Sequence, residues 1–300
     1  MDNILEPVGS ENVVRPSFRS QAWHILRRWP ILPAIILVML VVTGIFAPLV
    51  APAEPNHTVL RDRNAPPIWM EGGSSTHLLG ADPLGRDLLS RIIYGARISL
   101  LVAGVSIGFG LIAGVSVGLV AGYYGGWWDE IIMRLADTSR AVPFILIALV
   151  AAIVFGQRLE VILAILAFAT WPIFARQVRA EVLVLKQLDY VAFANVVGAS
   201  SRRIMQRHIL PGLVNTVIVL ATLQVGALIL TEAILSFLGA GIPPPTAAWG
   251  VMIADGQKYL TDAWWVSFFP GVAIVLVVMA FNFMGDWLRD YLDPRLRQLE

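Results

Sequence analysis

Residues 189–212 read DYVAFANVVGASSRRIMQRHILPG, with a long apolar run on either side. The segment carries Arg202, Arg203, Arg207 and His208 in a chain that is otherwise mostly hydrocarbon. Lys and Arg concentrate in short cytoplasmic loops, so a basic segment between two apolar runs reads as a cytoplasmic loop between two spans. Its internal pattern is helical. Asp189 is placed to cap a helix beginning at Tyr190. Val191, Ala194, Val197 and Ala199 fall near one side, with Phe193 and Val196 beside them. Gly198 and then Ala199-Ser200-Ser201 break the run. A second helix restarts through Ser201-Arg202-Arg203-Ile204, and Pro211 opens the next span. A short helix with apolar knobs and flanking arginines suits a groove on a partner protein. It equally suits anionic headgroups, with its arginines on lipid phosphate. The residues alone leave both open.

Working outward, the chain is 57% hydrophobic and 14% charged, against about 25% charged in soluble domains. It is an all-α integral membrane protein by composition. A spanning helix needs about 20 mainly apolar residues, and six runs are candidates: 31–51, 98–122, 130–155, 159–182, 212–238 and 263–285. The larger set of Lys and Arg (Arg15, Arg19, Arg27, Arg28, Arg134, Arg176, Arg179, Lys186, those of 202–207, Arg289, Arg295 and Arg297) places both termini in the cytoplasm. A five-span chain with opposed termini is the competing arrangement. The expected organisation is a cytoplasmic tail 1–29, a first span 30–52, an extracytoplasmic loop 53–96, a five-helix core 97–290 enclosing loop 183–211, and a cytoplasmic tail 291–300. No small-residue cleavage site closes the first apolar run, so no cleavable signal is expected.

Within the loop 53–96, Asp82-Pro83 reads as a helix start. Leu84, Leu88, Leu89, Ile92 and Ile93 share a face, which predicts a short amphipathic helix on the outer surface. Gly110, Gly114, Gly118 and Gly122 stand four apart, a spacing that lets two backbones approach closely in lipid.

Several chemistries have nothing to stand on. The only lysines, Lys186 and Lys258, do not follow glycine, so no phosphate-binding loop exists. The histidines His24, His57, His77 and His208 all fall outside the spans, and cysteine is absent. No metal site, thiol site, nucleophile or catalytic residue is therefore expected, and no nucleic-acid partner.

Of the charges inside the spans, Glu232, Asp137 and Arg140 stand out, because a charge there is costly and usually faces a cavity or a partner. Glu232 lies in the fifth span. Asp137 and Arg140, three residues apart in the third, are able to pair on one helix face. Counting about 1.5 Å per residue from Asp129 puts Arg140 roughly 16 Å along, near mid-membrane. All three are candidate pathway residues; the alternatives are a structural role for Glu232 and an internal ion pair for Asp137 and Arg140. The tryptophan pairs Trp127-Trp128 and Trp264-Trp265 fit interfacial belts.

The spacing from Ala194 through Gly198 to Ile209-Leu210-Pro211 resembles the EAA loop of membrane subunits of ABC importers. HLLGADPLGRDLLSRIIYGARISL (77–100), LTEAILSFLGAGIPPPTAAWG (230–250) and FNFMGDWLRDYLDPRLR (281–297) resemble the C-type subunit of the dipeptide/oligopeptide/nickel permeases. Ala192 departs from the pattern, standing where Glu is usual. The resemblance implies a type I importer (MetI-like) permease fold in a prokaryotic inner membrane. It implies a homologous permease, two ABC ATPases holding the ATP and Mg, and an extracytoplasmic solute-binding protein as partners. It also implies coupling to the ATPases through Asp189, Tyr190, Val191, Ala192, Phe193, Ala194, Val197, Gly198, Ala199, Ser200, Arg202 and Pro211, and no cofactor in this chain. The substrates implied are di- or oligopeptides, with nickel or another small solute as alternatives. A secondary transporter driven by an ion gradient is the competing class; it predicts broken spans and midplane carboxylates.

Overall fold

The computed structural model describes residues 30–292. The tail 1–29 and residues 293–300 of the second tail lie outside the described residues. Among those described, the ordered elements are helical apart from one isolated bridge, Ala81 to Asp87. In chain order the α-helices are α1 (Ile31–Ile45), α2 (Ala47–Val50), α3 (Leu88–Tyr124), α4 (Gly126–Ala141), α5 (Phe144–Phe155), α6 (Leu159–Leu185), α7 (Asp189–Val196), α8 (Ser201–Ile204), α9 (Leu210–Phe237), α10 (Trp249–Gly256) and α11 (Trp265–Leu292).

Among the described residues, four stretches are long and apolar enough to cross a membrane: α3, α6, the continuous run 201–237 through α8 and α9, and α11. The six-span expectation further rests on α1 and on α4 with α5. At 15 residues, α1 is short of the roughly 20 that a span needs, and α2 carries its apolar run on to Val50.

The third span is not the continuous helix 130–155 expected from the sequence. α4 and α5 meet at 77°. Pro143 is the cause, because its ring pushes the preceding residue out of the helical region, and Val142 sits at φ −93, ψ 133. Distance along one straight helix therefore does not give the depth of Arg140, which lies at the end of α4 against the break.

The short amphipathic helix expected in 53–96 is also absent. Asp82-Pro83-Leu84-Gly85 forms a turn, with Asp82 Oδ1 accepting from the amides of Leu84 (2.8 Å) and Arg86 (3.0 Å). The cap is Asp87, whose Oδ2 accepts from Ser90 N at 2.8 Å, and α3 then runs unbroken for 37 residues. Both aspartates precede apolar residues at helical spacing; turn geometry chose between them.

The glycine stripe of α3 behaves as its spacing requires, and α6 packs along it. A Cβ on Gly114 would lie 2.5 Å from Phe174 Cβ, and one on Gly118 2.5 Å from Ala175 O. Lys186 Nζ donates to Gly122 O (3.0 Å), closing the end of α3, where a cation is favoured. α9 packs on α11, α10 on α11, and α1 on α3 and α11. One buried cluster, around Leu88, Trp249, Trp265 and Ile274, fills the end of the bundle near α10. Another, around Val182, Val191, Ile209 and Leu213, fills the end near α7. Trp265 is buried in the first of these, so it is core rather than an interfacial anchor, whereas Trp127 and Trp128 are exposed.

Candidate functional site

At the α7 end, the segment 189–212 folds as two helices around a turn. Asp189 is the first residue of α7 rather than its cap; Leu188 is the cap and makes no side-chain bond. α7 closes with Gly198 at φ +76. Gly198 N donates to Asn195 O and Ala199 N to Ala194 O, both at 3.0 Å, the paired bonds of a glycine-terminated helix. Ser200 and Arg202 are exposed. Pro211 stands in the first turn of α9. Its missing amide and its ring disturb the preceding turn, and residues Met205–Ile209 widen there into a π-helical turn.

The buried and exposed faces of α7 divide the expected knobs. Val191 and Ala194 point inward, packed with Val182, Ile209 and Leu213 of α6, the π turn and α9. They anchor the helix and present nothing to a partner. Phe193 (70% exposed), Val196 (83%) and Val197 (80%) point outward, and Ala192 and Tyr190 flank them on the exposed side. Val196, which the resemblance does not place among the coupling residues, belongs with this outward group, as its position between Phe193 and Val197 indicates. Tyr190 Oη donates to His208 O (3.2 Å), tying the two arms of the segment together.

Midway along the bundle, the break between α4 and α5 opens a cavity of about 560 Å³ against α6 and α9. Ser139, Arg140, Thr170, Gln224 and Thr231 are its polar lining. A second cavity of about 600 Å³ continues along α6 and α9 toward the α7 end, with Gln177, Glu181, Thr216 and Arg289 on its walls. Thr216, Leu220, Gln224, Ala227 and Thr231 succeed one another three or four apart, so one face of α9 lines both cavities.

The three candidate pathway charges do not come together. Asp137 bonds Arg176 of α6 (2.8 Å) instead of Arg140, because the bend in the third span turns α4 across α6. Arg140 lines the mid-bundle cavity. Glu232 is 1% exposed and accepts from Ser236 Oγ at 2.6 Å, and that hydroxyl in turn accepts from Ile242 N at 3.2 Å. Glu232 thus fastens the end of α9 to the turn after it and is not in the lining of either cavity; its neighbour Thr231 is.

The opposite end holds a buried ionic cluster with no counterpart in the sequence reading. Asp82 Oδ2 accepts from Arg86 Nε at 2.6 Å and lies 3.5 Å from Arg91 Nε. Arg91 is 1% exposed and donates to Pro55 O at 3.2 Å. His77 sits between Asp87 (3.1 Å) and Asp62 (3.3 Å). Arg86 also reaches Asp255 of α10 at 3.7 Å. Burial holds the Asp255 carboxyl above its usual range, with Arg86 and Arg91 pulling the other way. Trp249 Nε1 donates to Ile92 O (2.9 Å). These bonds join residues 53–87, the start of α3 and α10 into one cap. Among the described residues, no group of three or more His, Cys, Asp or Glu side chains is arranged so that it could hold a metal ion.

The family described as binding-protein-dependent transport system inner membrane component matches residues 114–298. A dipeptide transport system permease protein, DppC, of Escherichia coli K12 is 45% identical over 278 residues, 92% of this chain and 93% of that one. A di/tripeptide transport system permease protein, DppC, of Pseudomonas aeruginosa is 39% identical over 97% of each chain. A glutathione transport system permease protein, GsiD, of Pectobacterium atrosepticum is 41% identical over 97% of this chain and 95% of its own. Among solved structures, an inward-facing form of the MetNI methionine ABC transporter aligns with a TM-score of 0.56 at 20% identity, covering 69% of this chain and 98% of that one. At that identity the likeness speaks for the fold.

Proposed function

The chain belongs to the binding-protein-dependent transport system inner membrane components, and on that premise we propose that it is one of two permease subunits forming the pathway of an ATP-driven di- or oligopeptide importer. The family is a transport component, not an enzyme, and membership sets aside the ion-gradient class. The broken span that class predicts is present, but its cavity carries an arginine and no carboxylate. The partners are a homologous permease, two ATPases that hold ATP and Mg, and an extracytoplasmic binding protein. The substrate class follows from relatives whose names specify dipeptide, di/tripeptide and glutathione transport. On the charge bias, both termini and α7 face the cytoplasm, and the ionic cap at the α10 end receives the binding protein.

The observation that carries coupling is the two-faced α7. Phe193, Val196 and Val197 form an outward apolar knob, suited to a groove on an ATPase. Its inward face is packed on the ends of α6 and α9, the two helices that line both cavities. A push on the knob as the ATPases close is therefore delivered to the pathway walls as rigid-body motion. Phe193→Asp with Val196→Asp is expected to remove the ATPases from the purified complex while the homologous permease stays. Retained ATPases and normal ATP-driven uptake would overturn the coupling reading.

A further inference from the structure

Arg140 is the one charge on α4 that the fold leaves without a counter-ion. Asp129 pairs with Arg179 (2.6 Å), Glu130 with Arg134 (2.7 Å) and Asp137 with Arg176 (2.8 Å). Among the described residues, Arg140 has no ion pair, yet it lines the mid-bundle cavity. The hydroxyls there are already committed to backbone carbonyls: Ser139 to Ala136, Thr170 to Ser106 and Ala167, Thr231 to Ala227. Gln224, on α9, makes no hydrogen bond among the described residues. The uncommitted donors that the cavity offers a ligand are thus one guanidinium and one carboxamide, on a largely apolar wall.

Those two groups define a ligand chemistry. Arg140 is exposed in this single chain and open to the cavity; a charge within a span usually faces a cavity or pairs with an opposite charge, and the planar fork of a guanidinium matches a carboxylate. A carboxamide both donates and accepts, which matches a peptide group. The volume lies within the roughly 300–1,000 Å³ of small-molecule sites. We propose that this cavity is a transit site for the C-terminal end of a short peptide, with Arg140 on the terminal carboxylate and Gln224 on the last peptide group. The proposal rests on the peptide-importer reading. Two other anions would satisfy Arg140: an acidic side chain of the homologous permease, or a lipid phosphate.

The test uses the assembled transporter in proteoliposomes with its binding protein. Uptake of a tripeptide is compared for the free acid and the C-terminal amide. The binding protein is the same throughout, so its own discrimination cancels when variants are compared with wild type. In Arg140→Met, the preference for acid over amide is expected to fall about ten-fold, the size of one lost charge-assisted contact, with binding-protein-stimulated ATPase activity retained. Arg140→Lys should keep part of the preference. Gln224→Leu should slow both forms equally. An unchanged acid-to-amide ratio in Arg140→Met overturns the proposal. Intact uptake would then assign Arg140 to lipid, and joint loss of both forms with the homologous permease would assign it to that subunit. A wild-type complex that takes up neither form overturns the peptide reading itself, and this inference with it.

Discussion

At the scale of single residues, the glycines of α3 separate into two kinds that look identical in sequence. Gly114 faces α6, where an added Cβ meets Phe174 Cβ at 2.5 Å and Trp171 O at 2.6 Å. Gly108 has nothing within 4 Å. Gly114→Leu must push α3 from α6, and overpacking of this kind costs about 1–3 kcal/mol or more. Gly108→Ala should be neutral or stabilise by up to about 1 kcal/mol, since Ala is the better helix former. Thermal unfolding of the two variants in detergent checks both. The stripe itself was legible, because a four-residue repeat puts glycines on one face whatever the rest of the fold does. Charged residues were less so. Asp137 and Arg140 satisfy the spacing rule for a pair, and Arg176, 39 positions on, outcompetes Arg140 because α4 crosses α6 there.

At the scale of elements, the position of each apolar run was readable and its continuity was not. Pro143 was visible, but a proline in a span either kinks it or ends it, and neighbouring packing selects. α4 is tied to α6 by a two-point bond in which Arg179 donates from Nε (3.0 Å) and Nη2 (2.6 Å) to the Asp129 carboxylate, and which is partly shielded from solvent. The Asp137–Arg176 bond is the more exposed. Asp129→Asn is therefore expected to destabilise by about 1 kcal/mol, and Asp137→Asn by too little to detect, because solvent screens exposed pairs. Melting curves of the two variants at low and high salt distinguish the outcomes. α7 repeats the lesson: its helical period was clear, but which of its apolar residues face inward depends on Val182 and Leu213, which are distant in sequence.

At the scale of the whole molecule, the bundle is closed at one end by buried charge. Asp82 is shared by Arg86 and Arg91 and by the amides of Leu84 and Arg86. Removing one partner of such a group leaves others charged and desolvated, at about 3–5 kcal/mol. Asp82→Ala should therefore loosen the cap and expose residues 53–87 to limited proteolysis from that side, while the α7 end stays protected. Unchanged cleavage would show that the cap does not depend on this carboxylate.

The sequence by itself determined the membrane class, the places of the apolar runs, the glycine face of α3 and the helical period of segment 189–212. Composition, period and charge bias are properties of neighbouring residues and survive without a fold. Only the tertiary structure decided the bend at Pro143, the outward trio Phe193, Val196 and Val197, the withdrawal of Glu232 from the cavities, and the unpaired state of Arg140. Each of these depends on which distant helix face arrives first with a better partner, and contacts of that kind are fixed by packing in three dimensions.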